Sequence, residues 1–185
     1  PPYTNGNGRR DSGVEQAAPR VVALGFNDDR SQQNRAGRLI LAIEDDVTFA
    51  RLLYGRSHEL DFDCVIASTA DEGLELVERF APSGVLLDIG LPDMSGLSVL
   101  ERLKRNPATR HIPVHMVSAS DNVHTALELG AIGYAVKPVA RDELTQAIQK
   151  LAREHARETR RVLIVEDDPT QRASLKKLLE GDGVQ

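Results

Sequence analysis

A doubly wound α/β fold built on one parallel sheet is predicted by three features of the sequence. Short apolar runs of strand length are hydrophobic on both faces, they alternate with segments of helical periodicity, and each is closed by a polar or acidic residue. The first run, Leu39-Ile40-Leu41-Ala42-Ile43, stops at Glu44-Asp45-Asp46. Phe49, Leu52, Leu53 and Leu60 follow at near-helical spacing, then Phe62 to Ala67 as a second strand and Glu72 to Phe80 as a second helix. Pro82-Ser83-Gly84 punctuates the chain before Val85-Leu86-Leu87 runs into Asp88, and Leu97, Leu100 and Leu103 recur at the interval of a third helix. Pro113 to Val117 forms a fourth strand ending at Ser118, with Val123 to Leu129 as its helix. Ile132 to Val136 forms a fifth strand ending at Lys137-Pro138, and Asp142 or Glu143 opens a long fifth helix.

In such a sheet, ligands bind beyond the carboxyl ends of the strands, near the point where strand order reverses. The residues that close the strands are therefore the candidate site: Glu44, Asp45 and Asp46, then Asp88, Ser118 and Lys137. Several carboxylates on one rim repel one another, and a hard divalent cation such as Mg²⁺ relieves that repulsion with oxygen coordination. Lys137 adds a second positive charge and Ser118 a hydroxyl. A metal, a cation and a carboxylate nucleophile are what phosphoryl transfer needs, with Asp88 forming an aspartyl phosphate. The competing structural reading makes these acids helix N-caps or turn residues, and it remains the simpler one for Asp46.

These residues, in this order, resemble the receiver domain of two-component response regulators. The resemblance runs from Arg38 to Arg153. It rests on Glu44 and Asp45 after the first strand, on Leu86-Leu87-Asp88-Ile89-Gly90-Leu91-Pro92-Asp93-Met94-Ser95-Gly96, on Met116-Val117-Ser118-Ala119 and on Gly133-Tyr134-Ala135-Val136-Lys137-Pro138. It implies a flavodoxin-like (βα)5 three-layer sandwich with strand order 2-1-3-4-5, Asp88 as phosphoacceptor, and Lys137 and Ser118 as its catalytic partners. It further implies Ser118 and Tyr134 as the switch pair, a Mg²⁺ site of Glu44, Asp45, Asp88 and the Gly90 backbone carbonyl, and a cis Lys137-Pro138 bond. The implied donor is a histidine kinase or a histidine phosphotransfer domain. Glu44 stands where Asp is more usual. Gly90 and Ser120, two residues beyond the acceptor and the switch hydroxyl, offer no amide or carboxylate to position water, which implies slow self-dephosphorylation at most.

Residues 1–38, with Gly6, Gly8, Gly13, Gly25 and Gly37, read as a polar flexible linker, and residues 39–153 as the receiver. Arg153, Glu154, Arg157, Glu158 and Arg161 suggest a helical connector over 154–161. Val162-Leu163-Ile164-Val165-Glu166-Asp167-Asp168 then restates Ile40 to Asp46, with Thr170 matching Thr48 and Leu175 matching Leu53, so residues 162–185 read as the first strand and helix of a second receiver cut short. The start at Pro1-Pro2 fits a piece of a longer chain. Tandem receivers behind a polar linker resemble part of a hybrid sensor histidine kinase. A multi-receiver response regulator, or a receiver-like interaction module that is never phosphorylated, are the alternatives.

A net charge of −5, from 23 Lys and Arg against 28 Asp and Glu, and the lack of any Trp argue against direct nucleic-acid binding. A single cysteine, Cys64, cannot form an internal disulfide and points to the cytoplasm, and no apolar run reaches membrane-spanning length. The adjacent receiver is an expected partner in the same chain, and homodimerisation is left open. His115 reads as a packed core residue. His155 lacks the following acid of a phosphodonor, because Ala156 comes next. Gly6-Asn7-Gly8 follows no strand and lacks the third glycine of a dinucleotide fingerprint, and Gly90 stands where a phosphatase using an Asp nucleophile would carry its second Asp.

Overall fold

Five strands form one parallel sheet: β1 Leu39–Ile43, β2 Asp63–Ala67, β3 Gly84–Leu87, β4 Val114–Ser118 and β5 Gly133–Val136, in the order 2-1-3-4-5. The computed structural model describes residues 27–120, 122–156 and 165–179. The helices are α1 Val47–Glu59, α2 Ala70–Phe80, α3 Gly96–Arg105, α4 Val123–Glu128, α5 Arg141–His155 and α6 Pro169–Leu179. The first four strands are buried throughout, as their two-sided apolar runs require.

Alternate residues of each strand feed two separate cores. Leu39, Leu41 and Ile43 of β1 face one layer with Leu76 and Val77 of α2, Val99, Leu100 and Leu103 of α3 and Ala126 of α4. Ile40 and Ala42 face the other, with Ala50 and Leu53 of α1 and Leu144, Ala147, Ile148 and Leu151 of α5. The result is the three-layer, flavodoxin-like sandwich expected from the sequence. Because the chain moves from β1 out to β2 and then back past β1 to β3, strand order reverses between β1 and β3, and a crevice opens at their carboxyl ends.

Local chemistry sets the helix starts. Asp46 accepts the N–H groups of Thr48 (2.7 Å) and Phe49 (3.0 Å) at the head of α1, so it is a cap, as its simpler reading had it. Helix α2 begins two residues earlier than the apolar spacing predicts. Thr69 accepts the Glu72 N–H, while both oxygens of Asp93, from the loop after β3, accept the N–H groups of Ala70 (2.9 Å) and Asp71 (3.0 Å). Helix α4 is short and has no side-chain cap. His115 is buried in β4, its ring against the Cα of Gly133 on β5, where an added Cβ would lie 2.5 Å from Nε2.

The leader behaves differently from the expected linker where the structure describes it. From Asp28 to Arg35 the chain is bonded to β2 through backbone and side chains, because its acids and arginines find partners on the exposed edge of the sheet. Residues 1–26 lie outside the described residues. Helix α5 reaches His155, where Ala156 closes it with an N–H to Ala152 O (2.9 Å); the remainder of the expected connector, 157–161, and most of the expected second-repeat strand, 162–164, lie outside the described residues. No helix among the described residues is long and apolar enough to cross a membrane.

Candidate functional site

The reversal point gathers the strand-end residues that the sequence singled out. Glu44 follows β1, Asp88 follows β3, and the two strands are direct neighbours paired Ile43 to Leu87. Glu44, Asp88 and Ser118 are buried and Asp45 half-buried. Oxygens of Glu44, Asp45 and Asp88 all lie within 4.8 Å of one another. Lys137, carried in from β5, places Nζ 2.7 Å from Glu44 Oε2 and 2.7 Å from Asp88 Oδ2. The Lys137-Pro138 peptide is cis, as the resemblance implied.

The remaining oxygens of the two buried acids are held by backbone. Asp88 Oδ1 accepts the Gly90 N–H (3.2 Å) and Glu44 Oε1 accepts the Asp46 N–H (3.2 Å). Three carboxylates still share one ammonium, which leaves an excess of negative charge in a confined place. The electrostatics reflect this: burial, with the Asp88 charge beside it, pushes the Glu44 carboxyl up to about 7 although Lys137 pulls the other way. Burial lowers Lys137, but its bonds to Asp88 and Glu44 outweigh that and hold it above the ordinary lysine value. The donor set is all oxygen and acidic, so it suits a hard divalent cation rather than a thiolate-loving one.

The loop after β3 must pass very close to the acceptor. Gly96 N donates to Ile89 O (2.9 Å), and Gly90 bridges Ser95. A Cβ at position 96 would lie 1.9 Å from the Asp88 carbonyl oxygen, so only glycine allows the chain to fold back there.

Ser118 and Tyr134 meet through a loop rather than directly. Ser118 Oγ lies 3.2 Å from Ser120 Oγ and accepts the Ser120 N–H (3.4 Å). The Tyr134 hydroxyl donates to the Ser120 carbonyl and accepts the Asn122 N–H (3.3 Å), while Asn122 Nδ2 donates to Ser120 Oγ (3.0 Å). Among the described contacts, Ser118 is bonded to Ser120 and not to Asp88. Three participants escaped the sequence reading. Asn122 links Ser120 to Tyr134. Phe49 lies beneath Lys137 with its ring centre 4.4 Å from Nζ, and Asp93, which also bonds the backbone of its own turn, caps α2 from the loop after β3. Phe49 was visible only as an apolar helix position, and nothing in its spacing marks it as a cation's neighbour.

The family model for the response regulator receiver domain matches residues 40–149. The chain is 32% identical over 117 residues to a probable transcriptional regulator, ycf27, of Porphyridium aerugineum, covering 62% of this chain and 48% of that protein. It thus spans about half the length of the curated relatives it matches. Among solved structures it is similar to a response regulator receiver domain protein of Methanospirillum hungatei JF-1, with a TM-score of 0.60 and 28% identity over 65% of this chain and 98% of that one. It is also similar to a sensor protein of Polaromonas sp. JS666, with a TM-score of 0.57 and 29% identity over 64% of this chain and 96% of that one. With the fold, the strand-end acids and the matched residues all in agreement, the chain belongs to the response regulator receiver domain family.

Proposed function

We propose that Asp88 accepts a phosphoryl group from the phosphohistidine of a histidine kinase or histidine phosphotransfer domain, and that the domain reports this through Ser118 and Tyr134. The observation that carries the reading is Lys137 Nζ at 2.7 Å from both Asp88 and Glu44, beside a third carboxylate, Asp45, within 4.8 Å. A carboxylate oxygen of Asp88 attacks phosphorus, the P–N bond of the donor breaks, and the imidazole leaves with the electron pair and takes up a proton. Lys137 holds Asp88 in place, and its ammonium lies where it can meet charge building on the phosphoryl oxygens. Glu44, Asp45, Asp88 and the Gly90 carbonyl would hold Mg²⁺, which supplies charge neutralisation for the incoming phosphoryl group.

Ser118 can turn its hydroxyl to a phosphoryl oxygen once one is present. That would draw on Ser120, and through it on Asn122 and Tyr134, the bonded chain that runs from Ser118 to the α4–β5 side. The parent we infer is a hybrid sensor histidine kinase in the cytoplasm or on its membrane side. In its support, the second acidic cluster repeats the bonds of the first. Asp168 N donates to Glu166 Oε1 (3.1 Å) and Asp168 Oδ1 accepts the Thr170 (2.7 Å) and Gln171 (3.1 Å) N–H groups, as Asp46 does with Glu44, Thr48 and Phe49. A start of an adjacent receiver accounts for that repeat.

Incubation with a small acyl phosphate and Mg²⁺, followed by intact-mass measurement, tests the phosphoacceptor reading. One phosphoryl group on the wild type and none on Asp88→Asn is the expected result. No uptake by the wild type would leave the domain as an interaction module.

A further inference from the structure

The segment ahead of β1 lies outside the residues matched by the family model, yet it makes several polar contacts of 2.7 Å to the sheet. In the order 2-1-3-4-5, β2 is an edge strand. Its residues Asp63, Val65 and Ala67 turn their backbone groups toward β1, so the groups of Cys64 and Ile66 point outward, unpaired by any strand among the described residues. All four of those groups are bonded by residues 28–30. Cys64 N donates to Asp29 Oδ2 (2.7 Å) and Cys64 O accepts the Asp29 N–H (3.1 Å). Ile66 N donates to Asp28 Oδ2 (2.9 Å) and Ile66 O accepts from Arg30 Nη2 (2.7 Å).

The anchors extend beyond the edge. Arg30 pairs with Asp28 (2.8 Å) and with Glu72 in the first turn of α2 (3.2 Å). Asp29 is held from α1 by the Tyr54 hydroxyl (3.1 Å) and His58 Nε2 (2.7 Å). At the start of β2, the Asp63 carboxylate, fully buried, accepts the N–H groups of Asn34 (2.8 Å) and Arg35 (2.7 Å) and pairs with the Arg35 guanidinium (2.7 Å). The Asp28 side chain is only 2% exposed. Acids withdrawn from water to this degree persist only when bonded, so the segment is fitted to the edge and not draped over it.

We propose that residues 28–35 are a strap that completes the domain by taking the place of a sixth strand along β2. It uses side chains where a strand would use backbone, and it closes the edge to pairing with another chain. It runs antiparallel to β2, from Ile66 back to Asp63, so Asp28 lies toward the end of the sheet that carries Glu44.

Amide hydrogen exchange on the full chain tests the strap. In the wild type, the Cys64 and Ile66 amides are expected to be protected although no strand faces them. In Asp28→Ala/Asp29→Ala those two amides should exchange roughly tenfold faster or more, with the β1–β3 ladder amides of Leu41 and Leu86 unchanged. Asp28→Asn/Asp29→Asn, which keeps an acceptor oxygen at each place, should restore most of the protection. The double alanine variant should also self-associate more strongly than the wild type as its concentration rises, in sedimentation. Unprotected Cys64 and Ile66 amides in the wild type, equal acceleration of all amides in the variant, or a variant that stays as monodisperse as the wild type would each overturn the proposal.

Discussion

Replacing Gly96 with alanine probes the tightest feature of the site. The added Cβ would sit 1.9 Å from the Asp88 carbonyl oxygen and 2.7 Å from its carbon, and a real Cβ keeps at least 3.0 Å. The obstacle is backbone, so no side chain can swing aside, and the two loops must part by about an ångström. That movement strains the Gly96 N–H bond to Ile89 O (2.9 Å) and the Asp88 N–H bond to Ile43 O (3.0 Å). Overpacking of this kind costs roughly 1–3 kcal/mol and each weakened bond about 1 kcal/mol, so a loss of about 3 kcal/mol is expected. The same shift carries Asp88 away from Lys137, and a misplacement of about 1 Å at a reacting group can slow transfer roughly 100-fold. Urea unfolding reports the first effect and the initial rate of phosphoryl uptake the second. Gly90→Ala serves as the control, because a Cβ there meets nothing within 4 Å, and its stability should stay within about 0.5 kcal/mol of wild type. Gly96→Ala matching wild type in both measurements would refute the steric account of the loop.

Three further outcomes follow from the same geometry. Lys137→Met leaves Glu44 and Asp88 facing each other without their shared ammonium, and phosphoryl uptake from an acyl phosphate should fall by roughly 100-fold or more, measured as an initial rate. Mg²⁺ at about 100 times its dissociation constant should stabilise the wild type by roughly 2.7 kcal/mol in thermal unfolding, and Asp45→Ala should lose most of that gain. Burial lowers the His115 imidazole from 6.5 to about 4, so the native state takes up that proton less readily than the unfolded chain does. Its contribution is complete above the unfolded value and is lost as pH falls from about 6.5 toward 4, by up to about 3 kcal/mol. Glu44, raised to about 7, acts in the opposite sense, contributing stability at low pH that is lost as pH rises through 7. The difference between wild type and His115→Leu isolates the histidine, and an identical pH slope in both would contradict its assignment as a buried neutral group.

The sheet was legible because its strands are buried on both faces, and such strands write continuous apolar runs such as Leu39 to Ile43 into the sequence. The site was legible for a related reason: polar residues that end buried strands must converge on one rim, and Glu44, Asp45, Asp88 and Lys137 are such residues. What the sequence concealed depends on contacts between segments far apart in the chain. Asp93 reads as a turn residue, and only the folded chain brings it to the N-terminus of α2. Phe49 reads as an ordinary helix-face residue until Lys137 arrives above it from a position 88 residues later. The Asp28-Asp29-Arg30 run has the polar composition of a linker, and its partners, backbone groups of β2 and side chains of α1 and α2, lie 25 residues or more away in the chain.

Reductive trapping of the phosphorylated protein addresses the central claim most directly. Hydride reduces an aspartyl phosphate, and not a free carboxylate, to a homoserine residue, which peptide mass spectrometry then locates. After treatment with an acyl phosphate and Mg²⁺, homoserine should appear at position 88 and not at Asp45, Asp46 or Asp93, and Glu44 should stay a carboxylate rather than become its five-carbon alcohol. Homoserine at another acid, or none at all from a protein that binds Mg²⁺, would contradict the assignment of Asp88 as the phosphoacceptor.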